Sequence, residues 1–372
     1  MPLSYTGFPL TSTHRSDLTP DRRRAKNERS IRWLAVAFPF VNLVTFRARP
    51  YYIPEQPEGE NVRSVGWGRD HRGGRAGHRA CVRGLRRVAF LAIALFASAC
   101  GAAVNYIDPS GPVYAENHTP ASRIPDRSRT EGAVRVVSFN VAYGIHIDRA
   151  LQVLRESEDL RDFDVLMLQE MDEPGVEQIA RELGVSYVYI PSGIHPKHDR
   201  DFGCAILSPW SLEEPRKIVL PHAARGTGLR RAVVVATVIR GAQRVRCYSL
   251  HLSSPLGISG QSRSEQVRIL IADAAASPDP VIIAGDFNAY EIGHEFAAAG
   301  FTWATRDTGP TVRRLLLQFR YDHVFARDPS SAPVVSTAGV VKDNRKASDH
   351  KAVWSVFEFP SHDAPAGPEG VR

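Results

Sequence analysis

A mixed α/β fold is what the sequence predicts, on three observations. Strands and helices alternate over the first part of residues 133–358, consecutive strands follow, and several apolar strands end on a polar residue. The chain is 372 residues long, enough for two domains, but its charge is split in a way that argues for one. Residues 1–87 hold 17 Lys and Arg against 7 Asp and Glu, while the remainder holds 30 against 33. The basic character therefore belongs to the leader, and strong non-specific attraction to nucleic acid is not predicted for the rest, although the arginines between Arg216 and Arg246 could form a local basic face.

Residues 1–81 show no sustained periodicity, and "DRRRAKNER" and "GRDHRGGRAGHR" read as solvated basic segments, so a disordered leader is expected. The apolar "WLAVAFPFVNLVTF" is broken by Pro39 and Asn42 and falls short of the ~20 residues a membrane-spanning helix needs. Residues 82–100 have a basic start, an uncharged run over 88–99 and small residues before Cys100, which is the pattern of a secretory signal. A small-residue pair ahead of a cysteine is similar to a bacterial lipobox, with Ala97 where Leu is usual. The expectation is an exported cell-envelope protein, either anchored to a membrane through a lipidated Cys100 or cut after "ASA" and released as a periplasmic or secreted form. Signals of this kind stand at the N-terminus, so translation from about Val82 is expected, with residues 1–81 an artefact of gene prediction.

Pro109, Pro112, Pro120 and Pro125, with few aliphatics around them, make residues 101–132 a tether, and residues 359–372 read as a disordered tail. Asn117, His118 and Thr119 match a glycosylation triplet, to which a bacterial leader gives no use. Cys204 and Cys247 would pair in an oxidising compartment or stand as two buried strand thiols, the reading favoured here, and no cysteine spacing suggests zinc.

The domain over 133–358 opens with a strand to Asn140, a helix over 148–159, a strand to Glu170 and a helix over 175–183. "RRAVVVATVIR" and "QRVRCYSLHL", joined by Gly241 and Ala242, predict a hairpin. A helix over 261–276, an apolar strand over 281–284, a short helix over 291–299 and two closing strands complete it. Gly285 is read as a sharp turn at the end of its strand, where a residue without Cβ is needed. "RRLLLQFR", residues 313–320, reads equally as a phosphate-contacting loop, a membrane-facing patch or a buried strand with basic edges.

The strand ends carry the chemistry. "VIIAGDFNAY" places Asp286 and Asn288 where a strand runs out into a loop, a pairing suited to phosphate chemistry. "VRVVSFNV" ends on Asn140, "DVLMLQE" on Glu170 and "RVRCYSLHL" on His251, while "RYDHVF" carries Asp322 and "SDHKAVWSVFEF" opens with Asp349 and His350. Singly, each has a plain alternative as a helix cap, a turn residue or a hydrogen-bonded core histidine. Six such endings in one domain point to one site.

In this order and spacing, "SFNV", "LQE", "SLHL", "GDFNA", "YDHVF" and "SDH" resemble the motifs of the endonuclease/exonuclease/phosphatase superfamily, over residues 133–358. Cys204 in "FGCAILS" stands where relatives often carry Asn, and Tyr321, Asp322 and His323 stand where many have Ile-Asp-Tyr. The resemblance implies an α+β architecture, a four-layer α/β sandwich of two packed mixed β-sheets flanked by helices. It also implies a metal-dependent hydrolase of phosphoester bonds that works as a monomer. Glu170 would be a ligand for Mg2+, with Mn2+ an alternative, and Asn140 and Asp349 would complete or orient that shell. Asp286 would position and deprotonate the attacking water, Asn288 would donate to a non-bridging oxygen, and His350, held by Asp322, would donate to the phosphate. His251 would be a second imidazole, as in the deoxyribonuclease-like and sphingomyelinase-like branches, and Arg231 would bind the substrate phosphate, with Arg263 and Gln266 weaker candidates. Nucleic acid is the substrate expected first, a lipid or small phosphoester second, and a non-catalytic binding relative last. Mass spectrometry of the native protein is expected to find a mature chain that starts at Cys100; peptides from residues 1–81 in that chain would overturn both the signal and the proposed start.

Overall fold

The computed structural model describes residues 103–118, 132–330 and 333–359. The basic leader, the signal segment with Cys100 and the tail from residue 360 lie outside the described residues. In chain order the elements are β1 (Val104–Asn105), β2 (Tyr114–Glu116), β3 (Ala133–Asn140), α1 (Ile147–Glu156), β4 (Val165–Met171), α2 (Glu173–Leu183), β5 (Ser186–His195), β6 (Arg200–Ser208) and β7 (Ser211–Val219). They continue with β8 (Ala232–Arg240), β9 (Gln243–His251), α3 (Gly260–Ala275), β10 (Val281–Asp286), α4 (Gly293–Ala298), β11 (Thr302–Trp303), β12 (Val312–Arg314), β13 (Leu317–Phe319), β14 (Asp322–Arg327), β15 (Val334–Val340) and β16 (Val353–Glu358).

Two mixed sheets result. One runs β1-β5-β6-β4-β3-β16-β15, with β2 also on β5; the other runs β11-β14-β10-β9-β8-β7; and β12 with β13 forms a separate ribbon. Each large sheet contains one parallel pair, β3 with β4 and β9 with β10, and each pair is bridged by a helix, α1 or α3. Side chains alternate across a strand, and both faces of these strands are buried, so the strands read in sequence as continuous apolar runs. Val134, Val136, Val165 and Met167 of the first sheet meet Cys247, Ile282, Ala284 and Val324 of the second in one cluster. The opposite faces carry Val137, Phe139, Leu166 and Leu168 against α1 and α2, and Tyr248, Leu250, Ile283 and Phe325 against α3 and α4. The four layers of helix, sheet, sheet and helix follow from that alternation.

The helices form where the pattern calls for them. In α1, Ile147, Ala150, Leu151 and Leu154 are buried at helical spacing. Helix α2 starts under an Asp172 cap that accepts from Gly175 N, with Pro174 in its first turn, and stops at Gly184, whose φ of 65° is left-handed. Cys204 and Cys247 are buried free thiols within the inter-sheet layer.

Two expectations change, the tether and the Gly285 turn, and the readings of Asn117 and "RRLLLQFR" narrow. Residues 103–118 are not a free tether: β1 and β2 pair with β5, and the Lys217 ammonium donates to the carbonyls of Asp108 (2.9 Å) and Gly111 (2.7 Å). Asn117 of the glycosylation triplet is spent on both backbone groups of Leu212, at 3.0 and 2.9 Å. "RRLLLQFR" is neither loop nor buried strand but the exposed β12–β13 ribbon.

Gly285 sits inside β10 rather than in a turn. It pairs with Leu250 of β9, and a Cβ there would lie 1.9 Å from the Leu250 carbonyl oxygen, so only glycine lets the two strands approach. Gly285→Ala is expected to destabilise the fold by on the order of 3 kcal/mol or more, read from the urea unfolding midpoint. An unchanged midpoint would show that this spacing does not depend on glycine.

Candidate active site

Strand register builds the site. Asp286 is the cross-strand partner of Asp322 on one side and of His251 on the other, so Asp322, Asp286 and His251 form one row across the second sheet. By the two-residue alternation that row lies on the face turned toward the first sheet, as do Asn140 and Gln169 opposite. Glu170 would point the other way in a regular strand. The register of β4 against β6 shifts between Gln169 and Met171, and Glu170 takes a left-handed φ of 58°, which turns its carboxylate into the same space. Asn288, just beyond β10, is left-handed as well, at 54°. His350 enters from the start of the last strand region, beside an isolated bridge to Val312.

The hydrogen bonds converge on two carboxylates. Asn140 Nδ2 donates to Glu170 Oε1 (3.2 Å) and to Asp286 Oδ2 (3.1 Å), while its Oδ1 accepts from Ala142 N (3.0 Å). Tyr143 N donates to Glu170 Oε2 at 3.2 Å. His350 Nδ1 donates to Asp322 at 2.9 and 3.2 Å, and its Nε2 lies 3.6 Å from Asp286 Oδ2. On the other side of Asp286, His251 Nε2 lies 3.4 Å from the same oxygen and accepts from Asn288 Nδ2 at 3.1 Å.

Charge separates the two imidazoles. Burial alone would lower the pKa of His350, but the Asp322 and Asp286 carboxylates outweigh it and push it up to about 10. Burial and the Arg231 guanidinium hold His251 well below the ordinary imidazole range, so it is neutral. Burial also raises Glu170, and it raises Asp286 to about 7 with help from the Asp322 and Glu170 charges. One proton donor, one proton acceptor and an acid poised near neutrality thus stand side by side.

These groups open into a cleft of about 290 Å3, whose lining includes Glu170, Arg231, His251, Asp286, Asp349 and His350. The family model for the endonuclease/exonuclease/phosphatase family matches residues 137–350. The chain belongs to that family. It is a hydrolase of phosphoester bonds, and the family is metal-dependent. Among solved structures, an endonuclease/exonuclease/phosphatase from Beutenbergia cavernae is 21% identical over 62% of this chain and 72% of its own, with a TM-score of 0.50. Danio rerio TDP2 complexed with single-strand DNA product is 18% identical over 62% of this chain and 100% of its own, at a TM-score of 0.48. A mannosyl-6-phosphatase from Bacteroides thetaiotaomicron is 17% identical over 61% of this chain and 100% of its own, also at 0.48. No curated protein matches the chain.

All nine residues named from the sequence reach this region of the family domain, though not all in the geometry expected. Asn140 turns its NH2 toward the carboxylates while its oxygen accepts from Ala142 N, an arrangement that orients the acidic pair. The Asn288 NH2 is engaged by Leu252 O (3.0 Å) and His251, which makes it a brace for the imidazole and not a free donor to substrate. Asp349 is exposed at the cleft margin, outside the tight groups formed by Glu170, His251 and Asp286 and by Asp286, Asp322 and His350. Arg231 stacks its guanidinium 4.9 Å over Phe202, and its Nε has no hydrogen-bond partner among the described residues. Arg263 donates to Ser253 O at 3.3 and 3.2 Å, and Gln266 to Pro221 O at 2.6 Å, so both hold loops. His323 is a core histidine between Trp303 Nε1 (3.3 Å) and Ala289 O (3.2 Å).

The expected basic face over 216–246 is largely neutralised, because Arg216 pairs with Asp273, Arg244 with Glu213, Glu214 and Asp279, and Arg246 with Glu214. Tyr143, His195 and Phe202 line the cleft without having been named. They come from a turn and from the ends of β5 and β6, where no apolar run finishes on a charged residue.

The donor set fits a hard divalent cation: Glu170, His251 and Asp286 bring ligand atoms within 4.8 Å of one another, and two of them are carboxylates whose burial is uncompensated enough to raise both pKa values. A carboxyl with a raised folded-state pKa favours folding at low pH and loses that contribution as pH rises through the raised value, for Asp286 between about 4 and about 7. A cation that needs the ionised carboxylates offsets the loss. Magnesium is therefore expected to raise the thermal midpoint more at about pH 8 than at about pH 5, and Glu170→Gln to lose most of that increment. An increment independent of pH and of Glu170 would place the cation elsewhere.

Proposed function

We propose that the chain hydrolyses phosphodiester bonds with a magnesium ion held by Glu170 beside Asp286, Asn140 serving to orient the acidic pair and Asp349 standing at the cleft margin. The observation that carries the reading is the row Asp322, Asp286, His251 with His350 closing it, a carboxylate flanked by one charged and one neutral imidazole. When bound, the cation would neutralise charge on the phosphate and on the leaving oxygen. Asp286 is assigned to orienting the attacking water and taking its proton, a role suited to a carboxyl poised near 7. His350 keeps its proton well above neutral pH and donates to the phosphate oxygen where negative charge builds, while Asp322 fixes its ring. Arg231, which lines the cleft, binds a non-bridging oxygen through its guanidinium. His251, braced by Asn288, offers the second imidazole on the far side of Asp286.

Arginines near the cleft suit any polyanion, and nucleic acid remains the reading that they and the sequence support. A specific observation favours an amphiphilic phosphodiester instead. Leu256, which lines the cleft, and Leu315, Leu316 and Leu317 on the neighbouring ribbon all stand open to solvent. A panel of bis-p-nitrophenyl phosphate, phospholipid vesicles, plasmid DNA and RNA, each with magnesium, separates these readings; turnover of nucleic acid alone would reverse the preference.

His350→Ala is expected to reduce kcat/KM on bis-p-nitrophenyl phosphate on the order of a hundredfold to ten-thousandfold, without recovery at higher magnesium. Asp322→Asn should cost less, and adding it to His350→Ala should cost little more, because the two act as a unit. Fully multiplicative losses would show that Asp322 does not act through His350. Asp322→Asn should also move the alkaline limb of the pH profile downward, since its charge is what raises the His350 pKa.

A further inference from the structure

The β12–β13 ribbon ends in three consecutive leucines that no other described residue covers: Leu315 is 94% exposed, Leu316 90% and Leu317 63%. Leu256, in the loop after β9, is 89% exposed. Single exposed leucines are ordinary on a protein surface, but four around one opening are not. The two groups belong to one rim. Arg314 of the ribbon and Leu256 line the same catalytic cleft, and Phe319 with Pro255 lines the hollow of about 470 Å3 beside it.

Arg225, Arg230, Arg313, Arg314 and Arg320 surround this rim, all exposed and none in an ion pair among the described residues, against the exposed acids Glu291 and Asp349. The described chain also enters here. Asn105 accepts from Arg230 N (2.6 Å) and donates to Gly228 O (3.0 Å), and the loop carrying these residues is tied to the leucine loop by Arg225 N donating to Gly257 O at 2.7 Å. In the sequence, only four residues separate the uncharged run 88–99 from Val104. An apolar tip, unpaired cations and the point where an apolar leader would join the domain therefore share one face.

We propose that this rim docks on an anionic lipid bilayer, with Leu256 and Leu315 to Leu317 entering the acyl boundary and the arginines meeting headgroup phosphates. Docking in this way turns the catalytic cleft toward phosphodiesters at the bilayer surface, a consequence that rests on the phosphodiesterase reading. A polyanion in water would use the arginines but gain nothing from the leucine tip, and the tip alone is too small to hold two copies of the chain together.

The test uses the full chain and its Leu315→Ser/Leu316→Ser double variant with phosphatidylcholine vesicles, with and without phosphatidylglycerol. Hydrogen exchange read over residues 313–320 and 254–257 separates docking by the rim from attachment through the leader. The anionic vesicles should protect these amides, the double variant should bind on the order of tenfold or more weakly, added salt should weaken both, and both proteins should hydrolyse bis-p-nitrophenyl phosphate equally. Binding without protection at the tip, or equal binding by the double variant, overturns the proposal. So does a tip indifferent to vesicles but protected by a single-stranded oligonucleotide, which would assign the rim to nucleic acid. Protection at the tip in a chain inert toward bis-p-nitrophenyl phosphate would leave the docking intact and sink the hydrolase reading alone.

Discussion

The two-residue alternation of the strands, held in register by ladder hydrogen bonds, is the constraint from which the site follows. Apolar residues on the inner faces of both sheets bury each other, and the same faces, carried one or two residues further, deliver Asn140, Asp286, Asp322 and His251 to the end where the sandwich opens. A slip of one residue in β10 would send Asp286 toward the helices and bring Gly285 into the row. The polar floor beneath the site is built with equal economy. Gln169 Nε2 donates to Ser249 Oγ (3.3 Å) and to Met167 O (3.1 Å), and Ser249 donates to Leu168 O (3.3 Å), so buried polar groups from both sheets satisfy one another where they meet.

That placement sets the electrostatics. Ionised carboxylates do not pack together in a dry interior unless something positive joins them, and here the compensation is split. Asp322 holds the His350 imidazolium by a direct hydrogen bond, whereas Glu170 and Asp286 share that charge only at a distance, and burial outweighs it together with the Asn140 amide, which is why their pKa values rise. Two left-handed residues, Glu170 and Asn288, stand at this same point, one carrying the carboxylate and the other bracing His251. Backbone strain is held where side chains must leave the regular alternation.

The strand-end residues were legible because an apolar run ending on Asn, Glu, Asp or His is a local pattern, and the helices were legible through their buried spacing. What the sequence hid is non-local. Strands β5 to β7 carry Pro191, Gly193 and Pro215, residues that interrupt a regular ladder, and the register shifts beside Gly193 and Arg216 absorb them. Gly285 looked like a turn because its need for close approach comes from Leu250, thirty-five residues earlier in the chain. Arg263 and Gln266 looked like substrate ligands because sequence cannot reveal that Ser253 and Pro221 already occupy them. The cleft aromatics escaped for the same reason: Tyr143 and Phe202 are far apart in sequence and become neighbours, with ring centres 5.7 Å apart, only after folding.

The packing of residues 103–118 decides where the folded unit starts. By pairing with β5, β1 and β2 occupy the outer margin of the first sheet, and Lys217 and Asn117 stitch them there. A shortened chain that began at β3 would keep every residue of the site and still present β5 as a bare strand with unpaired amides and carbonyls, the kind of edge on which copies of a protein add to one another. Its loss of activity would then be a failure of solubility, and the sixteen residues that resemble a tether would be found to act as a seal.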